Sequence, residues 1–471
     1  MQIFAFLLWI MLGSCLFRMP AVLAWGGEED PLATEGMVSL SPAGTLLPAT
    51  GTPCATQNDL QPLRSLVFSA VMEHALCRHP QTRQAWVNAR VQAAQVGVSQ
   101  GALLPTLTGT PALTHRQTAT SSDSLTRNQQ NTTADASLTL SWLLYDFGAR
   151  EANLASARAL LTALNADHAT AVWRVYLAAA RAYFQYFIAE ATVTATREAE
   201  AAAATSLDAA GTRRSAGVGT PADEWQARTA HSQATLNRIR AEGDLRVARG
   251  VLAESLGENV DADVTLAPYP VGELDPLLHH VAELSDLLTE AQKQRPELKA
   301  AAAQVAAARA EVKAAEVAGL PTITLTTTLD GSRDTKNNAA QEGVVGVKLS
   351  YPLFDGYKTT YRLRAAREQE TARRIQEEQT RHQVGLDVWK GYQQLLTETQ
   401  ALRTSVDLAA SARQSERVAR GRYEAGVGTI LDLLTAQSTL ADARRQHIQA
   451  FYNWHLARIT LAQAVGRLDG N

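Results

Sequence analysis

The sequence predicts a mixed α and β membrane protein in which long helices adjoin a transmembrane β-barrel that one chain cannot close alone. Three observations point there. Blocks of residues recur at offsets of 216 and 209, four runs of about ten residues alternate with period two, and two long stretches lack proline. The 471-residue chain is 46% hydrophobic but only 6% aromatic, which excludes disorder and favours closely packed, alanine-rich helices. Forty-four basic against 47 acidic residues leave a net charge of −3, so no global pull toward nucleic acid exists.

Residues 1–24 read as a signal peptide. Ile3 to Phe17 is almost wholly apolar, and Ala21-Val22-Leu23-Ala24 offers a small-residue cleavage site before Trp25. Arg18 interrupts the run too early for a membrane span of roughly 20 residues. Leu12-Gly13-Ser14-Cys15 keeps acylation of Cys15 open as an alternative. Residues 25–62, rich in Gly and Pro, read as a flexible N-terminal tether. Cys54 and Cys77 then permit a single staple or two spectator thiols.

The repeat divides the remainder of the chain into a first unit at 63–257, a connecting segment at 258–281, a second unit at 282–466 and a short tail at 467–471. His79-Pro80 and Leu104-Pro105-Thr106 recur 216 residues on as Arg295-Pro296 and Leu320-Pro321-Thr322. Leu144-Tyr145-Asp146 recurs 209 residues on as Leu353-Phe354-Asp355, and Ala216-Gly217-Val218-Gly219-Thr220 as Ala425-Gly426-Val427-Gly428-Thr429. The register therefore slips by seven residues between the proline and the aspartate, where hairpin lengths can differ.

Each slipping region holds two alternating runs. Thr106, Thr108 and Thr110 oppose Leu107, Gly109 and Leu113; Leu138, Leu140 and Trp142 oppose Ser137, Thr139 and Ser141. Ile323, Leu325 and Leu329, then Val345, Val347 and Leu349, repeat the pattern in the second half. Polar loops are expected around Arg116 to Thr132 and Gly331 to Glu342. Apolar residues on one face and small or polar ones on the other match a membrane-barrel strand.

Helix is expected from Gly148 to about Ala216 and from Gly356 to about Ala425, each roughly 100 Å long. Shorter helices are expected at about Glu73 to Leu103, Pro221 to Leu256, Ala282 to Ala318 and Ile430 to Val465. Four strands leave open edges that hydrocarbon does not tolerate, so several copies must close one barrel, and a conduit favours three copies and twelve strands. The helices carry Arg, Glu and Gln throughout and must stand in water beside it.

These features resemble the TolC family of outer-membrane efflux and secretion channels, from about Leu60 to Gly466. The carriers are Pro105 and Pro321 leading the strands, Asp146 and the Leu353-Phe354-Asp355-Gly356 turn into a long helix, and the Arg-x-x-x-Gly tips. The resemblance implies a homotrimer with a twelve-stranded barrel in outer-membrane lipid, a helical tunnel through the periplasm, a periplasmic adaptor and an inner-membrane ABC-type exporter or other pump. It is closest to type I secretion components, the one exporting cyclolysin among them. A multidrug efflux component, acylated at Cys15, is the alternative within transport; a soluble periplasmic helical scaffold is the alternative outside it.

The tips, Arg213-Arg214-Ser215-Ala216-Gly217-Val218-Gly219-Thr220 and Arg422-Tyr423-Glu424-Ala425-Gly426-Val427-Gly428-Thr429, are expected to turn one helix back on the next. By resemblance they also meet the adaptor, with Gly217, Val218, Gly219, Gly426, Val427 and Gly428 at the contact. Asp223 and Asp432 follow each turn, where a helix N-terminus favours negative charge. The resemblance further gives Tyr423, Asp432 and Asp223 a place in a constriction at the entrance. Gly428 stands where an arginine would complete that link and Thr435 where a further aspartate can line it, so any gate here turns to Arg213, Arg214 or Arg422.

No catalytic residue, metal site or cofactor is expected: HExxH, P-loop and GxGxxG patterns are missing from the sequence. Adjacent His279 and His280 do not converge on one metal. Arg362, Arg364, Arg367, Arg373 and Arg374 form a basic run, but Glu370 with Arg374 and Glu377 with Arg381 are favourable helical pairs. A passive export conduit is the expected function.

Overall fold

The computed structural model describes residues 30–38, 54, 65–122, 125–268, 283–334 and 338–467, with the side chains of 118–129 left aside. The signal peptide, Cys15, His279 and His280 lie outside them. In chain order the elements are α1 (Phe68–Arg78), α2 (Pro80–Gly101), β1 (Thr106–Ser122), β2 (Leu125–Tyr145), α3 (Ala149–Ser215) and α4 (Pro221–Ser255). The second half repeats them as α5 (Leu284–Gln294), α6 (Pro296–Val317), β3 (Thr322–Asp334), β4 (Ala339–Ser350), α7 (Lys358–Glu424) and α8 (Ile430–Val465).

The two long helices, α3 and α7, are 67 residues each and run the length of the helical part. Toward the strands the wall reads α2, α3, α6, α7, and toward the tips it reads α4, α3, α8, α7. Alanines at the seams, among them Ala89, Ala93, Ala152, Ala163, Ala301 and Ala308, are buried, and their small side chains let the helices approach. None of the described helices is long and apolar enough to cross a membrane.

The strands form one antiparallel sheet in the order β1-β2-β3-β4. Leu107 faces Leu140, Trp142 faces Leu325 and Leu325 faces Val347, so the apolar residues line a single face. β4 is exposed along its whole length, as is β1 from Thr106 to Gln117, and these two edge strands leave the sheet open.

Four expectations need correction. The loop expected over Arg116–Thr132 is paired strand, with Arg116 opposite Asn131 and Ser122 opposite Leu125. β1 and β2 thus reach 17 and 21 residues instead of about ten, because hydrogen bonding continues after hydrophobic alternation ends. The second loop is shorter too: β3 runs to Asp334 and β4 begins at Ala339. The single helices expected over Glu73–Leu103 and Ala282–Ala318 each break before proline, where His79 and Arg295 are extended (ψ 131° and 123°); proline lacks an N–H and disfavours helical backbone in the residue ahead of it. Finally, part of the tether at 25–62 is packed. Glu35–Met37 forms a 3₁₀ turn, Val38 is buried beside Ala93 and Leu161, and Asn165 donates to the Met37 carbonyl at 3.0 Å.

A cluster of aromatic residues lies at mid-height, where α1 and α5 pack against the long helices. Phe68, Tyr183, Phe184, Phe187, Phe451, Tyr452 and Trp454 build this belt, with Phe184 and Tyr452 ring centroids 6.1 Å apart. Burial, aided by Arg458, lowers the His455 pKa to about 4, so the imidazole stacked on Phe184 stays neutral near pH 7. Cys54 and Cys77 are joined by a disulfide that ties residue 54 to α1. Two arginines of the basic run of α7 form ion pairs, Arg374 with Glu370 at 2.6 Å and Arg367 with Glu316 at 3.1 Å, and beyond the run Arg381 reaches Glu377 at 2.8 Å.

Candidate functional site: the paired helix tips

At the end away from the sheet, α3 turns into α4 and α7 into α8 through two loops with the same hydrogen bonds. Val218 and Gly219 both donate to the Arg213 carbonyl at 3.0 Å; Val427 and Gly428 donate likewise to that of Arg422. Gly217 and Gly426 adopt φ of +78° and +77°, which a side chain resists. A Cβ at Gly428 would lie 3.0 Å from Arg422 Cβ and Tyr423 N, so the tight turn itself opposes an arginine there.

Asp223 and Asp432 close reciprocal capping boxes. The Asp223 N–H donates to Thr220 Oγ1 at 3.2 Å while Asp223 Oδ2 accepts from the Thr220 N–H at 3.0 Å. Asp432 and Thr429 repeat the arrangement at 3.1 and 3.4 Å. Hydrogen bonds from Thr429, helped by Arg422, hold the Asp432 carboxyl below its usual pKa. The Asp432 side chain is exposed and that of Asp223 half-buried.

Tyr423 is 7% exposed and packs with Ala210, Ala227, Ile430 and Leu433. Its partner is Arg213 of the other tip, whose Nη1 donates to the Tyr423 carbonyl at 2.7 Å and whose guanidinium lies 4.8 Å from the ring centroid. Arg213 thus ties the two hairpins of one chain. Ser206 and Gln437 add a second tie further along the same helices, with Gln437 Nε2 to Ser206 Oγ at 3.1 Å. Arg214 pairs with Glu224, whose pKa the hydrogen bond lowers, and Arg228 stacks on Trp225 at 4.8 Å. Glu224, Trp225 and Arg228 escaped the sequence reading because charged and aromatic residues in the opening turns of a helix look like ordinary surface.

Val218 and Val427 are each 70% exposed at the apices. Beside the second tip, Val418, Arg422, Leu431, Asp432 and Thr435 line an open groove of about 770 Å³ between α7 and α8. Among the described residues no group of three or more His, Cys, Asp or Glu is placed to hold a metal ion. The two tips present exposed valine apices beside charged residues that pair within the chain.

Known proteins share this architecture. The family model described as Outer membrane efflux protein matches residues 71–258 and 287–467. Protein CyaE of Bordetella pertussis is 29% identical over 455 residues, covering 95% of this chain and 92% of its own length. Outer membrane protein TolC of Vibrio cholerae is 24% identical over 337 residues, 70% of this chain and 74% of that protein. The crystal structure of the Campylobacter jejuni CmeC outer membrane channel superposes with a TM-score of 0.76 at 18% identity, covering 85% of both chains.

Proposed function

Because the chain belongs to the outer membrane efflux protein family, we propose that it is the outer-membrane channel of a tripartite export system, a passive conduit for a protein or toxin leaving by type I secretion. It sits in the outer membrane and extends into the periplasm, and family membership removes the soluble-scaffold alternative. The observation that carries the conduit is the open four-stranded sheet with one apolar face, mounted on helices far too polar for lipid. Three copies supply twelve strands and a lumen wide enough for water and an extended chain. The end-to-end similarity to Protein CyaE supports the secretion branch over drug efflux.

A periplasmic adaptor and an energised inner-membrane exporter complete the path. Exposed Val218 and Val427 offer that adaptor apolar contact, and Asp223 and Asp432, repeated in each copy, place carboxylates around the entrance where they favour cations. Energy comes from the pump, since a water-filled passage does no work itself. Planar-bilayer recording of the purified trimer tests the reading: discrete, cation-preferring conductance steps are expected, and folded trimers that conduct nothing would overturn it.

A further inference from the structure

The outer wall of the helical part is covered in one half of the chain and bare in the other. In the first half, residues 30–38 lie over α2 and α3: a Cβ at Gly97 would lie 3.3 Å from Thr34 Cγ2, Glu35 pairs with Arg90 at 3.1 Å, and Asn165 donates to the Met37 carbonyl. α1 packs on the same side of α3, with Phe68 against Tyr176 and Tyr183. Successive residues turn by about 100°, so Ala155, Arg158 and Asn165 fall toward that side and Asn153 and Leu160 toward the opposite one. A second layer must lie outside a tube that conducts. The first set therefore faces outward and the second faces the lumen.

The repeat offsets carry this outer side onto the second half, Gly97 to Lys313, Ala155 to Arg364 and Arg158 to Arg367. Lys313 and Arg364 are exposed there, with none of the described segments lying over them. We propose that Lys313, Arg364 and Arg367 form a cationic collar that binds the phosphate of anionic phospholipid headgroups in the periplasmic leaflet of the outer membrane. The inference rests on the outer-membrane-conduit reading, which supplies both the lipid and the outward direction.

Charge, position and exposure support the collar. Among the described residues neither Lys313 nor Arg364 has an ion-pair partner, while Arg367 shares Glu316 at 3.1 Å. α7 carries no acidic residue before Glu368, although a helix start favours anions; the first turn of α3 holds Glu151, and its Arg150 is paired with Asp146 at 3.0 Å. The apolar face of β4 continues past Leu349 to exposed Tyr351 and Leu353, with exposed Phe354 beside them, the aromatic and apolar border expected where lipid ends. Their counterparts Trp142, Leu144 and Tyr145 stay exposed although β2 has a strand on each side, so a neighbouring copy leaves them to the lipid. Arg364 follows Lys358, the first residue of α7, by roughly 9 Å, and helical side chains lean back toward the N-terminus, which brings its guanidinium to a headgroup layer roughly 5–8 Å deep. Ala155 is exposed between α2 and α6, so Arg364 stays exposed when the next copy flanks α7.

Native mass spectrometry of the detergent-purified full-length trimer, titrated with dioleoyl phosphatidylglycerol or dioleoyl phosphatidylcholine, tests the collar. The parent protein is expected to retain phosphatidylglycerol over phosphatidylcholine, up to one lipid per copy. Lys313→Gln with Arg364→Gln should lower that preference by about fivefold for each cation removed. Arg364→Lys should keep most of it, and Arg362→Gln, whose counterpart Asn153 faces the lumen, should leave it unchanged. The trimer mass in the same spectrum shows that each variant has assembled. Equal retention of the two lipids by the parent, or a preference that Arg362→Gln removes and the double variant does not, overturns the collar. Displacement of phosphatidylglycerol by inorganic phosphate at matched concentration also overturns it, since the site would then take free anions. Trimers that retain phosphatidylglycerol through Arg364 yet conduct nothing in a planar bilayer overturn the conduit reading and uphold the collar.

Discussion

The two halves of the chain are copies at their tips and diverge at their hairpins and at mid-height. The tip loops share four backbone hydrogen bonds, the positive-φ glycine and the capping box. The hairpins differ by the length of the β1–β2 extension, and the aromatic belt is lopsided: α3 contributes Tyr183, Phe184 and Phe187, whereas the matching positions of α7 are Tyr392, Gln393 and Leu396. Geometry explains the contrast. A turn between antiparallel helices has few solutions, while a strand extended beyond lipid can lengthen at little cost. Within the chain α3 has described neighbours on both sides there and α7 on one.

That asymmetry yields the largest expected effect. Phe184 is buried against Phe68, Tyr452 and His455, so Phe184→Ala should destabilise the fold by about 3–5 kcal/mol. Gln393 is exposed, and Gln393→Ala should be nearly neutral. Thermal unfolding of the two variants checks the contrast, and equal losses would show that the halves carry the core evenly.

The tips offer a finer comparison. Arg213 ties the hairpins through a charged hydrogen bond and a ring contact, so Arg213→Ala should weaken the closed entrance by about 1–2 kcal/mol and raise single-channel conductance. Arg422, its counterpart in the repeat, stacks on no ring among the described residues, and Arg422→Ala should leave conductance near the parent value. A larger rise for Arg422→Ala than for Arg213→Ala would show that the Arg213 contact with Tyr423 is not what holds the two tips together.

The legibility of the sequence follows the same division. Both long helices end within about two residues of the expected bounds, because proline-free composition and glycine turns are local signals. The carboxylates Asp223 and Asp432 in the first turns of α4 and α8 belong to the same class, whereas the reciprocal bonds to Thr220 and Thr429 emerge only in the structure. The strand extensions from Arg116 and up to Thr132 were not legible, since hydrogen bonds in water leave no hydrophobic alternation. Nor was the partnership of Arg213 with Tyr423, residues 210 apart that meet only once two hairpins pack. The packing of Val38 stayed hidden behind a Gly- and Pro-rich composition that reads as tether.

The smallest expected effect separates capping from selectivity at Asp223 and Asp432. Each carboxylate accepts from its own capping threonine, and the Asp432 pKa is lowered by the Thr429 hydrogen bonds and then by Arg422. A carboxyl with a lowered folded pKa contributes stability that is present above its unfolded value, ordinarily near 3.8, and that is lost as pH falls through the folded value. The second tip should therefore keep its cap across neutral and mildly acidic pH and loosen only below the ordinary carboxylate range. Asp432→Asn retains an acceptor for the cap and removes the charge, so backbone exchange at the tip should change little while cation preference falls. Asp432→Ala removes both and should also speed exchange at Thr429 and Leu433. If Asp432→Asn speeds exchange as much as Asp432→Ala, the charge itself holds the cap. If neither variant, alone or with the matching change at Asp223, alters ion preference, the carboxylates serve only to start their helices and other groups line the passage.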